Sequence, residues 1–174
     1  MCVFAGSGAG NDPCFAAAAR ELGAELAARD LGLVFGGESL GLMGAVADGA
    51  CEAGGEAVAV IPRFLAEIGT LHNGSELRLV DTLGERKKLM SDLSVGFVAL
   101  PGGLGTLDEL TEMVTWTQLG VHDKPLALLD VAGSWSPLAS LLDTMVANGF
   151  LRPEDRDLLR FASDPTAAIA AVAG

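Results

Sequence analysis

The segment Pro101-Gly-Gly-Leu-Gly105 runs directly into Thr106, Leu107, Asp108, Glu109 and Glu112, a glycine turn followed by residues at helical spacing. Such a turn leaves the first N–H groups of the helix unpaired and pointing along a favourable dipole, which makes an anion site that needs no lysine. Gly102, Gly103 and Gly105 are free to take positive φ there and to let a ligand approach the backbone. Glu109 and Glu112, three residues apart, share a helix face beside that anion. A carboxylate next to bound phosphate is unfavourable unless it has a chemical task. The competing explanation, that acids suit the first turn of a helix, accounts for Asp108 better than for Glu109 and Glu112. Arg86 and Lys87 are neighbours in a chain with 11 basic residues. A solvated basic face is the commoner fate of such a pair. Leaning towards the ligand edge of a sheet, Arg86 would instead grip phosphate or steady a departing base.

Several familiar chemistries fail on spacing. Gly6-x-Gly8-x-Gly10 is not the dinucleotide fingerprint, no phosphate-binding GxxxxGK[ST] loop exists, and His72 and His122 form no metal-ligand pattern. The 3 cysteines, Cys2, Cys14 and Cys51, show no CxxC spacing and suit small buried thiols. With 11 Lys+Arg against 23 Asp+Glu the net charge is -12, which repels nucleic acid and anionic lipid. Mean hydropathy is +0.42, yet no apolar run approaches the roughly 18 residues of a membrane span. The chain opens directly into apolar residues without a basic leader, so the expected compartment is the cytoplasm.

The elements that must position these residues alternate along the chain. Apolar strands are expected at 1–5, 31–35, 57–61, 77–80, 95–100 and 125–129. Helices are expected after Asn11 or Asp12 with Pro13 at the first position, over 39–53, 83–93, from Thr106 to Gly120, over 136–149 and after Pro165. Residues 63–75 show no period and read as an irregular connection. Strands apolar throughout, separated by long helices, predict an α/β fold with a doubly wound parallel sheet, Rossmann-like, in a single domain over 1–174. Ligands then bind at the carboxyl ends of the strands, where the glycine loops at 6–10, 36–37 and 101–105 fall. Met113, Val114 and Trp116 on one helix suggest more apolar surface than a single small domain buries, and hence a homodimer.

Pro101-Gly-Gly-Leu-Gly-Thr-Leu-Asp-Glu109 fits the PGGxGTxxE motif of the LONELY GUY (LOG) family of cytokinin riboside 5'-monophosphate phosphoribohydrolases, formerly often labelled lysine decarboxylases. Glu85-Arg86-Lys87-x-x-Met90 resembles the second signature of that family, and Phe35-Gly-Gly-Glu-Ser-Leu-Gly-Leu-Met-Gly44 its GGGxxGLMG segment. Val3-Phe-Ala-Gly-Ser7 and Trp116-x-Gln118-Leu-Gly-x-His-x-Lys-Pro125 also agree, so the similarity runs over about 1–151. Two positions depart from the pattern: Gly84 in the second signature, and Glu38 where a third glycine is common.

The resemblance implies a homodimer that hydrolyses the N-glycosidic bond of an N6-modified adenosine monophosphate, giving free base and ribose 5-phosphate. It implies neither cofactor nor metal. Carried over by position, Arg86 and Glu109 match the catalytic pair, and Lys87, Gly102, Gly103, Gly105, Thr106 and Asp108 match nucleotide-contacting positions. Thr115 and, more loosely, Glu67 are added. The loops and motifs supply the remaining substrate-binding candidates: Gly6, Ser7, Gly36, Gly37, Pro101, Leu104, Leu107 and Glu112. An AMP nucleosidase-like enzyme and a non-catalytic nucleotide or cofactor carrier remain as alternatives.

Overall fold

Cys2–Phe4 (β1) lies at the centre of a seven-stranded sheet in the computed structural model, which describes residues 1–173. The other strands are Leu33–Phe35 (β2), Ala57–Pro62 (β3), Glu76–Val80 (β4), Phe97–Ala99 (β5), Leu126–Leu129 (β6) and Leu159–Ala162 (β7). Their order is β4-β3-β2-β1-β5-β6-β7, and every pairing is parallel. The helices are Pro13–Ala28 (α1), Gly41–Glu52 (α2), Arg63–Ala66 (α3), Leu83–Asp92 (α4), Leu104–Gln118 (α5), Ser136–Ala147 (α6), Pro153–Arg156 (α7) and Pro165–Ala173 (α8).

The two-residue period of the strands divides the core into two layers. Cys2 and Phe4 of β1, with Phe97 and Ala99 of β5, face α4, α5 and α6, and the Phe4 and Phe97 rings stack with centroids 5.7 Å apart. Val3 and Val98 face the other way, onto α1, α2 and α8. Glycines bring α1 and α2 close: a Cβ on Gly23 would strike the Val46 carbonyl, and one on Gly49 the Arg20 carbonyl. The doubly wound expectation is met. The direction of chain winding reverses at β1, whose neighbours are β2 and β5, and this opens a crevice at the strand ends where the glycine loops meet.

Several boundaries differ from the sequence reading. Helix α5 begins at Leu104 rather than Thr106, with Gly103 as its cap. The span 63–75 contains one helical turn, α3, and its remainder is tied to the end of β2 by His72 N–H to Gly37 carbonyl and Ser39 N–H to Thr70 carbonyl bonds. The tail adds a seventh strand, β7, whose alternation is too short to separate from a loop without its partner β6. Met113 is fully buried, whereas Val114 and Trp116 are half-buried, packed against the core and partly open to the surface. Exposed apolar side chains are spread over the surface, among them Ile68, Leu104, Leu119 and Val121 as well as Leu141, Met145 and Phe150 on and beyond α6. Among the described residues no helix is long and apolar enough to cross a membrane.

Candidate active site

Helix α5 carries the site because its rotation is fixed by what it buries. Leu110 and Met113 are almost fully buried, each contributing on the order of 2–3 kcal/mol, and Thr106 and Glu109 fall on the same inward side. The N–H groups of Leu104, Gly105 and Thr106 precede the first intrahelical bond, Leu107 N–H to the Gly103 carbonyl, and so lack helical partners. Gly103 and Gly105 have nothing within 4 Å of a would-be Cβ. The expectation of positive φ at Gly102, Gly103 and Gly105 is not met: none is among the positive-φ glycines, and Gly103 is extended with φ -96°. These glycines provide space. A Cβ on Gly102 would meet the Thr106 side chain, while Gly103 and Gly105 leave the helix N-terminus bare.

Helix α4 supplies the cations. Thr82 caps it by accepting the Glu85 N–H at 3.1 Å, and the Glu85 carboxylate accepts the Asp81 N–H at 2.9 Å. The Arg86 side chain turns inward over the sheet edge. Its Nε donates to the Val60 carbonyl at 3.0 Å and its Nη2 to the Gly36 carbonyl at 3.3 Å. That Nη2 also lies 3.6 Å from Glu109 Oε1, with the two side chains only 12% and 11% exposed. Gly36 is required by this seat, since a Cβ there would run into the Arg86 guanidinium and the Met43 sulfur. Burial pushes the Glu109 carboxyl up to about 7, against the opposing pull of Arg86.

Arg86, Glu109, Ser7, Met43 and the 103–106 segment line one cleft of about 190 Å³. Across Ser7 and Gly103 it adjoins a second cleft of about 390 Å³, walled by Gly6, Pro101, Gly102, Phe15 and Leu42. Ala5, Met43, Phe15 and Leu42 were not singled out as site residues, because apolar side chains carry no chemical signal until the fold brings them to a cavity. Lys87 does not enter the Arg86 cleft. Its ammonium is ion-paired with Asp108 at 2.9 Å and with Glu112, on the outer side of the α4–α5 groove, where Thr115 also lies.

Three sequence candidates are not brought in. Leu107 packs against the core, and Glu67 is exposed at the end of α3. Gly37 has positive φ (89°) and serves the backbone turn after β2, its carbonyl accepting from His72. The two departures from the family pattern also stay outside the clefts. Gly84 is exposed on the outer side of α4, and the Glu38 carboxylate lies against Gly69 in the 63–75 span. Among the described residues no group of three or more potential ligands could hold a metal ion.

Fold and site together define a Rossmann-type α/β protein with a bare helix N-terminus for an anion and a buried guanidinium–carboxylate pair beside it. A family profile described as "Possible lysine decarboxylase" matches residues 43–172, which extends through the tail that the sequence reading left unassigned. The rice (Oryza sativa subsp. japonica) protein named probable cytokinin riboside 5'-monophosphate phosphoribohydrolase LOGL1 is 46% identical over 169 residues, covering 96% of this chain and 74% of its own. The Arabidopsis thaliana cytokinin riboside 5'-monophosphate phosphoribohydrolase LOG5 is 45% identical over 168 residues, covering 96% and 73%. The chain belongs to this family, the LOG family. Among solved structures, the molybdenum cofactor carrier protein of Chlamydomonas reinhardtii superposes with TM-score 0.74 at 25% identity, over 98% of this chain and 92% of that one. The molybdenum cofactor binding protein of Rippkaea orientalis, at 20% identity and TM-score 0.69 over 97% and 90%, shares the fold.

Proposed function

We propose that this chain hydrolyses the N-glycosidic bond of cytokinin riboside 5'-monophosphates, N6-modified adenosine monophosphates, releasing the free base and ribose 5-phosphate, and that it works as a cytoplasmic homodimer. The observation that carries the reading is the buried Arg86–Glu109 pair, 3.6 Å apart beside the unpaired N–H groups of α5. The names of relatives about 45% identical support it.

In this reading the 5'-phosphate sits on the 104–106 N–H groups, and the anomeric carbon faces Glu109. The bond from that carbon to the base nitrogen breaks with its electron pair going to the base, while water adds to the sugar; the proton that water gives up to Glu109 balances the one the base gains from solvent. The developing oxocarbenium charge is stabilised by ionised Glu109, which also takes the proton of the incoming water. A guanidinium is a poor proton donor near neutrality, so Arg86 steadies charge on the departing base and holds the Glu109 carboxylate in place. Binding at the phosphate, remote from the reacting bond, fixes the sugar against Glu109.

The test is product analysis by chromatography after incubation with isopentenyladenosine 5'-monophosphate and, separately, AMP, with Glu109→Gln as control. Free base and ribose 5-phosphate from the native protein alone are expected. The ratio between the two nucleotides separates a cytokinin-directed enzyme from an AMP nucleosidase-like one. A phosphorylated ligand bound tightly and recovered unchanged would overturn hydrolysis in favour of a carrier.

A further inference from the structure

The Arg86 guanidinium rests on the Gly36 carbonyl, so whatever fixes that carbonyl fixes the cation facing Glu109. Gly36 and Gly37 form the turn after β2, and their adjacent carbonyls are held by different partners. Gly36 accepts from Arg86 Nη2, and Gly37 accepts from the His72 N–H at 3.0 Å. The 63–75 span continues along this turn, with the Ser39 N–H donating to the Thr70 carbonyl at 2.8 Å and Glu38 forming an antiparallel bridge with Leu71. Those backbone bonds place the turn only if the span is itself anchored to the body of the fold. The His72 side chain is that anchor. It is only 8% exposed, and its ring stands edge-on to buried Phe35, the last residue of β2, with centroids 5.9 Å apart. Nδ1 accepts the Gly74 N–H at 3.3 Å and lies 2.9 Å from the Ser75 hydroxyl, so the ring proton belongs on Nε2. Nε2 donates to Asp48 Oδ1 of α2 at 3.2 Å. The other Asp48 oxygen is held by Arg20 of α1 at 3.1 Å, which leaves Oδ1 for the histidine.

We infer that His72 is a positioning residue for the proposed hydrolysis: pinned to Asp48, it holds the turn after β2 where that turn seats the Arg86 guanidinium against Glu109. The inference rests on the reading of Arg86 and Glu109 as the reacting pair. The contacts run from Asp48 to His72, from His72 to Phe35 and Gly37, from Gly36 to Arg86 and from Arg86 to Glu109. His72 does not line the cleft that holds the pair, so its effect reaches the substrate through the guanidinium. Without the pin the turn is free to shift, and Arg86 keeps only the Val60 carbonyl as a fixed seat. The guanidinium then steadies the departing base less well and pulls less on Glu109, whose pKa of about 7 is held down by that pull and should rise. Asp108 and Lys87, the other charges acting on Glu109, stand on α5 and α4 and stay where they are. A pin serving stability alone would lower the melting temperature and move neither kcat nor the Glu109 titration.

His72→Asn keeps an acceptor near the Nδ1 position but cannot reach Asp48, whereas His72→Gln places an N–H near the Nε2 position. Asp48→Ala removes the same bond from the other partner, at a helix position whose side chain is 43% exposed. kcat and KM are measured with isopentenyladenosine 5'-monophosphate, and the Glu109 carboxyl is titrated by NMR in glutamate-labelled protein, with Glu109→Gln identifying its signal. His72→Asn and Asp48→Ala are each expected to lower kcat about tenfold with KM little changed and to raise the Glu109 midpoint, and His72→Gln to keep both close to wild type. A folded His72→Asn or Asp48→Ala with wild-type kcat and midpoint overturns the inference, as does a His72→Gln no better than His72→Asn. A raised midpoint in a protein that hydrolyses no nucleotide removes the hydrolase reading and leaves the positioning role standing. Hydrolysis by the wild type with an unmoved midpoint in the variants does the reverse.

Discussion

Glu109 is a carboxyl that the fold keeps largely out of water, and its burial raises its pKa to about 7 despite the guanidinium 3.6 Å away. The ionised form is the one that stabilises an oxocarbenium charge, so kcat/KM should rise with pH through about 7; a flat profile from pH 5 to 8 would count against it. The linkage to stability has the opposite sign. Below the ordinary carboxyl range both native and unfolded chains hold the proton. Between that range and about 7 only the native chain does, so Glu109's contribution to stability falls as pH rises through this window. Glu109→Gln should lack that component of the slope, as thermal melts from pH 5 to 8 would reveal. Gly36 is read from the same contacts. Gly36→Ala should displace the Arg86 guanidinium, a mobile side-chain end, and lower kcat at least tenfold, about 1.4 kcal/mol of barrier, in a folded protein. Unchanged kcat would show that Arg86 does not need this seat.

At the scale of the element, α5 sets function against stability. Gly105 lies within the first turn, where a Cβ meets nothing. Gly105→Ala should therefore stabilise the chain by up to about 1 kcal/mol, since alanine favours helix over glycine. The same methyl would stand where the phosphate approaches, and nucleotide binding should weaken tenfold or more. Calorimetric unfolding and ligand titration of one variant check both halves. Helix α4 depends on its cap: Thr82→Ala should cost about 1 kcal/mol by leaving the Glu85 N–H unpaired, and denaturant unfolding would show it. Much of this was legible in the residues. Pro13 after Asp12, the glycine run before α5 and the period of Leu110 and Met113 are local signals, and the elements lie close to where they place them. The start of α5 two residues earlier than Thr106 was not legible, because glycine helix propensity argues against Gly105 inside a helix until tertiary packing overrides it.

For the whole molecule, the proposed homodimer needs exposed apolar surface, and the chain has it at several places, Leu119, Val121, Leu141, Met145 and Phe150 among them. Light scattering at micromolar concentration should give the mass of a dimer, and a monomer would remove that part of the proposal. Met113 shows why sequence misplaces such a surface: an apolar residue on an amphipathic helix reads the same whether it meets its own sheet or a partner. The sequence by itself determined the alternation of strand and helix and the parallel winding, and it singled out the 101–105 loop, Arg86 and Glu109 as candidates, because these depend on local periodicity and on residue types with few other uses. The pairing of those two side chains was decided only by tertiary structure, through carbonyls of β3 and of the turn after β2 that hold Arg86 from positions 26 and 50 residues away. So were the raised pKa of Glu109, the diversion of Lys87 to Asp108 and Glu112, and the exclusion of Glu67 and Leu107 from the clefts. Desolvation and the direction of a side chain are properties of neighbours distant in the chain, which no window of sequence contains.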